Sequence, residues 1–254
     1  MTGPVSALLR GRRAVVTGGA HGIGAAVARR FAEMGARGVV LDLPEALGGP
    51  QPQGWHSAAV DVRNEHSVKE AIGESARLLS GIDAIVVVAG AVPSWQRLAD
   101  MDLEDFDRVL AINARGVACT IKHATPQLGL GATITVVASL NAWRGDPNIT
   151  SYVASKHAAL GIVRSAALAL GPDGIRVNAV APGPIATDAL LSRMASRHAA
   201  TGVAVAEALN QAAQATALGR IATAPEVADA IAFLTSDLSA GITGQLLNVD
   251  CGIH

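Results

Sequence analysis

The sequence predicts an α/β fold in which a doubly wound, parallel, seven-stranded sheet carries helices on both faces, a three-layer sandwich. Three observations lead there. Short runs of Val, Ile, Leu and Ala recur without polar alternation, as in strands buried on both faces. Helical stretches long enough to serve as crossovers lie between them. The first strand runs directly into a glycine cluster that opens a helix.

That first strand is Arg13-Ala14-Val15-Val16-Thr17, followed by Gly18-Gly19-Ala20-His21-Gly22-Ile23-Gly24 and a helical run over about 25–34. A strand-to-helix junction leaves backbone N–H groups unpaired, and the helix end adds partial positive charge, so a pyrophosphate is well served there. Gly18 makes the turn without side-chain strain, while Gly22 and Gly24 allow close ligand approach and packing of helix on sheet. Position 20 is alanine, so the spacing is not G-x-G-x-x-G, but the context that fingerprint requires is present.

The second strand, over 38–42, ends in Asp42. A carboxylate there accepts both hydroxyls of an adenosine ribose and repels a 2′-phosphate, which favours NAD over NADP. Leu43 and Pro44 supply no cation, and Arg37 and His21 are the nearest basic groups. By itself Asp42 reads equally as a turn or cap residue.

A proline-rich surface loop over 44–53 leads to a strand over 57–60 before Asp61, a helix over 65–79 and a strand over 82–88 ending at Ala89-Gly90. Further strands are expected over 132–138, 175–180 and 245–249. Helices are expected over 102–123, 151–170, 188–213 with a break at Gly202, and 224–235 with Pro225 in its first turn. No repeat or low-complexity linker intervenes, and residues 1–254 read as one domain.

Composition excludes several classes. Twenty basic against 21 acidic residues, scattered along the chain, provide no field for nucleic acid. Cys119 and Cys251 have neither metal-ligand nor disulfide spacing; both read as small hydrophobes in a reducing cytoplasm, and no metal site is expected. Met1-Thr2-Gly3-Pro4 does not begin a basic region with a long apolar run, and no stretch reaches ~18 apolar residues, so neither export nor membrane insertion is expected.

Tyr152, the sole tyrosine, precedes Lys156 by four positions in Ser151-Tyr152-Val153-Ala154-Ser155-Lys156, which puts both on one helix face. A phenol is a poor acid or base at neutral pH, and a neighbouring ammonium favours the phenolate, so the pair is a candidate reaction centre. The spacing alone is also that of a half-buried tyrosine beside a surface lysine.

Taken together, these residues resemble the short-chain dehydrogenase/reductase family over essentially 12–252, with a Rossmann-type fold. Thr17-Gly18 through Gly22-Ile23-Gly24 is similar to the family's cofactor glycine motif, and Tyr152 with Lys156 to its catalytic pair. Ser139 falls where the family has its substrate-binding serine, and Asn113 where it has its helix asparagine. Asp61-Val62 resembles the pair at the adenine pocket, Ala89-Gly90 the turn on the adenosine side, and Pro182-Gly183-Pro184-Ile185-Ala186-Thr187 the segment at the nicotinamide. The resemblance implies that Tyr152 is the general acid/base, that Lys156 assists it and holds the nicotinamide ribose, that Ser139 fixes the substrate oxygen, and that Asn113 orients a water linking Lys156 to solvent. Alone, Ser139 is an ordinary strand-end hydroxyl and Asn113 a helix asparagine bonding a neighbouring backbone. Three positions depart from the family: Val87-Val88 replace its Asn-Asn, and Cys251 replaces a glycine.

The expected substrate pocket is apolar: Val92, Trp95, Leu140, Ala142, Trp143, Ile185, Leu190 and Met194, with Asn141 beside Ser139. This suits a small apolar secondary alcohol or its ketone. Arg144 is the nearest charge, and reads as well as a solvated loop residue. Residues 188–213 read as a lid, or as additional core. The family resemblance implies a homotetramer through the helices over 102–123 and 151–170. A 3-oxoacyl thioester reductase and a non-catalytic dinucleotide sensor or scaffold are the alternative functions.

Overall fold

A computed structural model describes residues 7–253, apart from the side chains at 188, 189, 193 and 200. The expectation drawn from Met1 to Pro4 and both ends of the 1–254 domain span lie outside the described residues. Seven strands, β1 (Arg13–Thr17), β2 (Arg37–Asp42), β3 (Trp55–Ala59), β4 (Ile82–Val87), β5 (Leu128–Val137), β6 (Arg176–Pro182) and β7 (Leu246–Val249), form one sheet. Their order is β3-β2-β1-β4-β5-β6-β7, and every pairing is parallel. The chain winds outward from β1 in one direction and from β4 in the other. That reversal opens a crevice at the carboxyl ends of the two central strands.

Successive residues of the central strands feed opposite faces, as the two-residue period of a strand dictates. Val15, Val39, Leu41, Ile85 and Ile134 belong to one buried layer, together with Val68 and Ile72 of α2 (Glu65–Leu79), Val117 of α4 (Gly116–Ala124) and Leu160 and Val163 of α5 (Thr150–Leu170). Ala14, Val16, Val40, Ala84 and Val86 belong to the other, with Val27 and Phe31 of α1 (Gly22–Glu33) and Val227 and Ile231 of α8 (Ala224–Thr235). A third, smaller cluster of Leu190, Met194 and Ala208 joins α6 (Asp188–Thr201) to α7 (Val205–Gln214).

The α2 and α8 boundaries coincide with the sequence reading. Asn64 caps α2 by accepting from the His66 and Ser67 N–H groups, and Thr223 with Glu226 forms a capping box on α8. Among the strands, β3 begins at Trp55 and β5 at Leu128, two and four residues before the expected starts, and two helices differ as well. Helix α1 starts at Gly22, three residues earlier than expected, because a Cβ at Gly24 would collide with the Gly18 carbonyl and only glycine lets the helix begin so near the turn. The single helix expected over 102–123 is α3 (Leu103–Leu110) and α4 joined by a π-helical turn, Ala111–Arg115. The break expected at Gly202 is present, with φ 75° in the left-handed region between α6 and α7.

Val87 and Val88, where the family has two asparagines, leave the strand-end geometry intact. Val88 N–H and Ala89 N–H both donate to the Thr17 carbonyl at 3.0 Å, so the backbone alone joins β4 to β1. The Thr17 hydroxyl, however, is buried without a hydrogen-bond partner. Cys119 is buried, as expected; Cys251 is half-buried against the α1/α8 layer at φ 57°, a left-handed conformation natural to the glycine it replaces.

Candidate active site

A cavity of about 410 Å³ occupies the crevice at the ends of β1, β4, β5 and β6. One end is built by the β1–α1 turn. Gly18 adopts φ 66°, and a Cβ there would lie 2.5 Å from the Ala89 nitrogen, so the close approach of the two strand ends requires glycine. His21 is the N-cap of α1 but makes no side-chain cap bond, and the first turn carries no acidic residue. The opening N–H groups of the helix therefore face the cavity edge without an anionic competitor.

Asp42, at the end of β2, is held from both sides. Its Oδ2 accepts from Ala20 N–H at 3.0 Å and its Oδ1 from Leu43 N–H at 2.8 Å. Each carboxylate oxygen retains acceptor capacity, and the residue lines the cavity. Asp61 is engaged differently: the Arg63 guanidinium donates to both its oxygens at 2.7–3.0 Å and holds its carboxyl below the usual carboxylate range. The glycine turn, the uncapped helix start and Asp42 together fit a nicotinamide dinucleotide.

At the other end stand Ser139, Tyr152 and Lys156. Ser139 follows β5, and its Oγ accepts from Asn141 N–H at 3.2 Å. Lys156 is one turn after Tyr152 on α5, with Nζ 5.5 Å from the phenol ring centroid. The ammonium is buried and donates to the Val137 carbonyl at 2.9 Å, which fixes it in the cavity wall. Asn113 is fully buried in the π-helical turn. Its Oδ1 accepts from Ala91 N–H at 2.7 Å, and its Nδ2 donates to the Ala91 carbonyl at 2.9 Å and to Ser155 Oγ at 3.0 Å. The Ser155 hydroxyl in turn donates to the Tyr152 carbonyl at 2.8 Å.

Gly18, His21, Gly22, Ile23, Asp42, Leu43, Asp61, Val62, Ala89 and Gly90 line this one cavity together with Ser139, Asn141, Tyr152, Lys156, Pro182, Gly183, Ile185, Thr187 and Leu190. Gly24 lies under the Gly18 carbonyl and Asn113 lies behind Gly90, both adjoining the wall. Four residues expected at the substrate are not among the lining: Ala142 is buried in the core layer shared with α5, and the other three lie elsewhere. Trp143 is 48% exposed with the Arg144 guanidinium 5.7 Å from its ring centroid, Met194 is buried between α6 and α7, and Trp95 lies under Arg197. Ala91, Ile112, Val137 and Ala138 also line the cavity, and Ser155 braces it. They lie beside motif residues, but nothing in their own chemistry sets them apart in a sequence. Among the described residues no cluster of His, Cys, Asp and Glu could hold a metal, and no helix is long and apolar enough to cross a membrane.

A family model described as enoyl-(acyl carrier protein) reductase matches residues 18–254. The (−)-isopiperitenol/(−)-carveol dehydrogenase of Mentha piperita is 40% identical over 97% of this chain and 94% of that protein. Among solved structures, the aldohexose dehydrogenase of Thermoplasma acidophilum superposes with TM-score 0.87 at 29% identity, covering 97% of this chain and 95% of that one. A levodione reductase superposes with TM-score 0.87 at 27% identity, covering 95% and 97%. The chain belongs to the short-chain dehydrogenase/reductase family. It is an NAD(P)-dependent oxidoreductase that interconverts alcohols and ketones.

Proposed function

We propose that the protein is an NAD-preferring dehydrogenase of small, apolar, alicyclic secondary alcohols, acting also as reductase of the matching ketones. The observation that carries this reading is that Ser139, Tyr152 and Lys156 share one cavity with Asp42. Between them the wall is apolar, with Val92, Leu140, Ile185 and Leu190. Such a wall suits a carveol-like ring or a cyclic ketone better than the hydroxyl-rich aldohexose of the Thermoplasma relative.

A nicotinamide dinucleotide, when bound, supplies the hydride acceptor or donor. The diol of its adenosine ribose would meet Asp42, and its pyrophosphate the start of α1. His21, Leu43, Asp61, Val62, Ala89 and Gly90 would enclose its adenosine half, and Pro182, Gly183, Ile185 and Thr187 its nicotinamide half. Ser139 Oγ holds the substrate oxygen. Tyr152 takes the alcohol proton in oxidation and returns it in reduction. Lys156, held by the Val137 carbonyl, stabilises the charge that develops on the phenol oxygen. Asn113 braces the loop over this centre. Residues 188–213 form the lid of a single domain. The working form is a cytoplasmic homotetramer assembled through α3, α4 and α5.

The test is NADH formation across cyclic, aryl-alkyl and steroid secondary alcohols, with NADP in parallel and Tyr152→Phe as control. Turnover with NAD that falls by about 10²-fold or more in the control, with NAD binding unchanged, supports the proton-transfer role. Turnover with NADP alone would defeat the Asp42 argument and favour a thioester reductase. NAD binding without turnover of any alcohol would favour a dinucleotide sensor.

A further inference from the structure

The hairpin of α6 and α7 is set apart from the rest of the fold. Its apolar contacts form their own cluster, in which Leu190, Met194 and Ala208 are buried and Val203, Val205 and Leu209 pack around them. Polar contacts also tie the two helices together: Arg197 donates to Gln211 Oε1 at 3.2 Å, and the His198 ring lies 3.0 Å from the Val203 carbonyl. Both ends of the hairpin are pinned to the body. Ile185 bridges Ala222 before α6, and Thr216 bridges Ile253 after α7. Such a unit moves as one piece about its two ends.

Its free side meets the body at Trp95. The Trp95 backbone N–H donates to Ser196 Oγ at 3.1 Å, and the Arg197 guanidinium sits 5.6 Å from the Trp95 ring centroid. Among the described residues, and apart from bonds within α6 and α7 and the helix-end bonds Leu191 N–H to the Thr187 carbonyl and Ala215 N–H to the Gln211 carbonyl, this is the one hydrogen bond that joins residues 190–212 to the rest of the domain. The loop carrying Trp95 is itself anchored, since Gln96 N–H donates to the Asn148 carbonyl at 3.0 Å, two residues before the start of α5, the helix that carries Tyr152. Leu190, on the same hairpin, lines the cavity, whereas Trp95 does not.

We propose that Trp95, Ser196 and Arg197 form a latch that holds the α6–α7 hairpin closed and so positions Leu190 against the substrate. The three are positioning residues; none of them lines the cavity. Deleting the latch frees a preassembled lid without unfolding it, because the hairpin keeps its own core. The inference takes the alcohol dehydrogenase reading of the cavity as its starting point for kinetics, but the lid motion can be observed without turnover.

The experiment compares the wild-type protein with Trp95→Ala, Trp95→Phe and Ser196→Ala. Amide hydrogen exchange over residues 190–212 should accelerate by about 5-fold in Trp95→Ala, the loss of the ring and its cation–π contact with the backbone bond retained, with Trp95→Phe intermediate. Ser196→Ala, which removes the half-buried hydroxyl that accepts from the Trp95 backbone N–H and spares the ring, should shift exchange in the same direction by a comparable factor. The KM for the alcohol should rise by a similar factor while kcat stays within about twofold and NAD affinity is unchanged. Unchanged exchange and KM in folded, NAD-binding variants would overturn the latch, as would a loss of kcat at constant KM. If the wild type turns over no alcohol, the dehydrogenase reading fails, and the exchange data alone still decide the latch.

Discussion

Both backbone groups of Ala91 are bonded to the single side chain of Asn113, N–H to Oδ1 at 2.7 Å and carbonyl to Nδ2 at 2.9 Å. This pair connects the loop after β4 to the π-helical turn, and through Ser155 to the Tyr152 backbone. Asn113→Ala takes its partner from the Ala91 groups, half-buried at the cavity wall, and from the buried Ser155 hydroxyl. The expected loss is about 3 kcal/mol, since each buried unsatisfied group costs ~1–3 kcal/mol. Asn113→Asp should lose a comparable amount, because an oxygen then faces the Ala91 carbonyl. Denaturant midpoints measure both, and a change within about 0.5 kcal/mol would remove Asn113 from the bracing role.

Asp42 accepts two backbone N–H groups and still faces the cavity. Asp42→Ser removes the charge that repels a 2′-phosphate and keeps a short acceptor. NAD affinity should fall by about 10-fold, the loss of charge-assisted hydrogen bonds to the ribose, and NADP turnover should rise. Cofactor titrations by NADH and NADPH fluorescence check this. An unchanged preference ratio would mean that Asp42 serves the β1–α1 turn and not the cofactor.

Much of this arrangement is legible before the structure. The Asn64 cap and the apolar period of α2 are local, so both ends of that helix can be read directly. Tyr152 and Lys156 share a helix face by spacing alone. The π-helical turn cannot be read this way, because its stabilising partner Ala91 is distant in sequence and the bond is tertiary. The same is true of Trp95 and Trp143: an apolar residue after a strand end reads as pocket wall, but Arg197 and Arg144 draw these rings toward the rim. The start of α1 was obscured by glycine's poor helix propensity, which the close contact of Gly24 with the Gly18 carbonyl overrides.

The Thr17 hydroxyl is buried without a partner beside Val87, its register neighbour on β4. An unpaired hydroxyl in an apolar strand layer costs about 1 kcal/mol or more. Thr17→Val, which has the same shape, should therefore stabilise the protein by about 1 kcal/mol and leave the cavity lining unchanged. Thermal unfolding with and without NAD separates the two effects. A destabilised variant would show that the hydroxyl finds a partner, such as a buried water, in solution.

Glu226 closes the capping box of α8 and also pairs with Arg220, whose Nη2 donates to Oε1 at 2.7 Å. The Arg220 contact is the main cause that lowers its pKa to about 2, with the Thr223 N–H and hydroxyl adding to it. A depressed carboxyl stabilises the fold above its unfolded value near 4.3, and the contribution disappears as pH falls through about 2. Glu226→Gln cannot titrate. Its melting temperature should fall below that of the wild type near neutral pH, and the difference should narrow progressively between about pH 5 and pH 2. The gap should be modest, because the Glu226 side chain is 39% exposed and solvent screens the pair. A gap that stays constant across that range would assign the effect to hydrogen-bond geometry at the helix start, which glutamine reproduces imperfectly at every pH, and not to the charge.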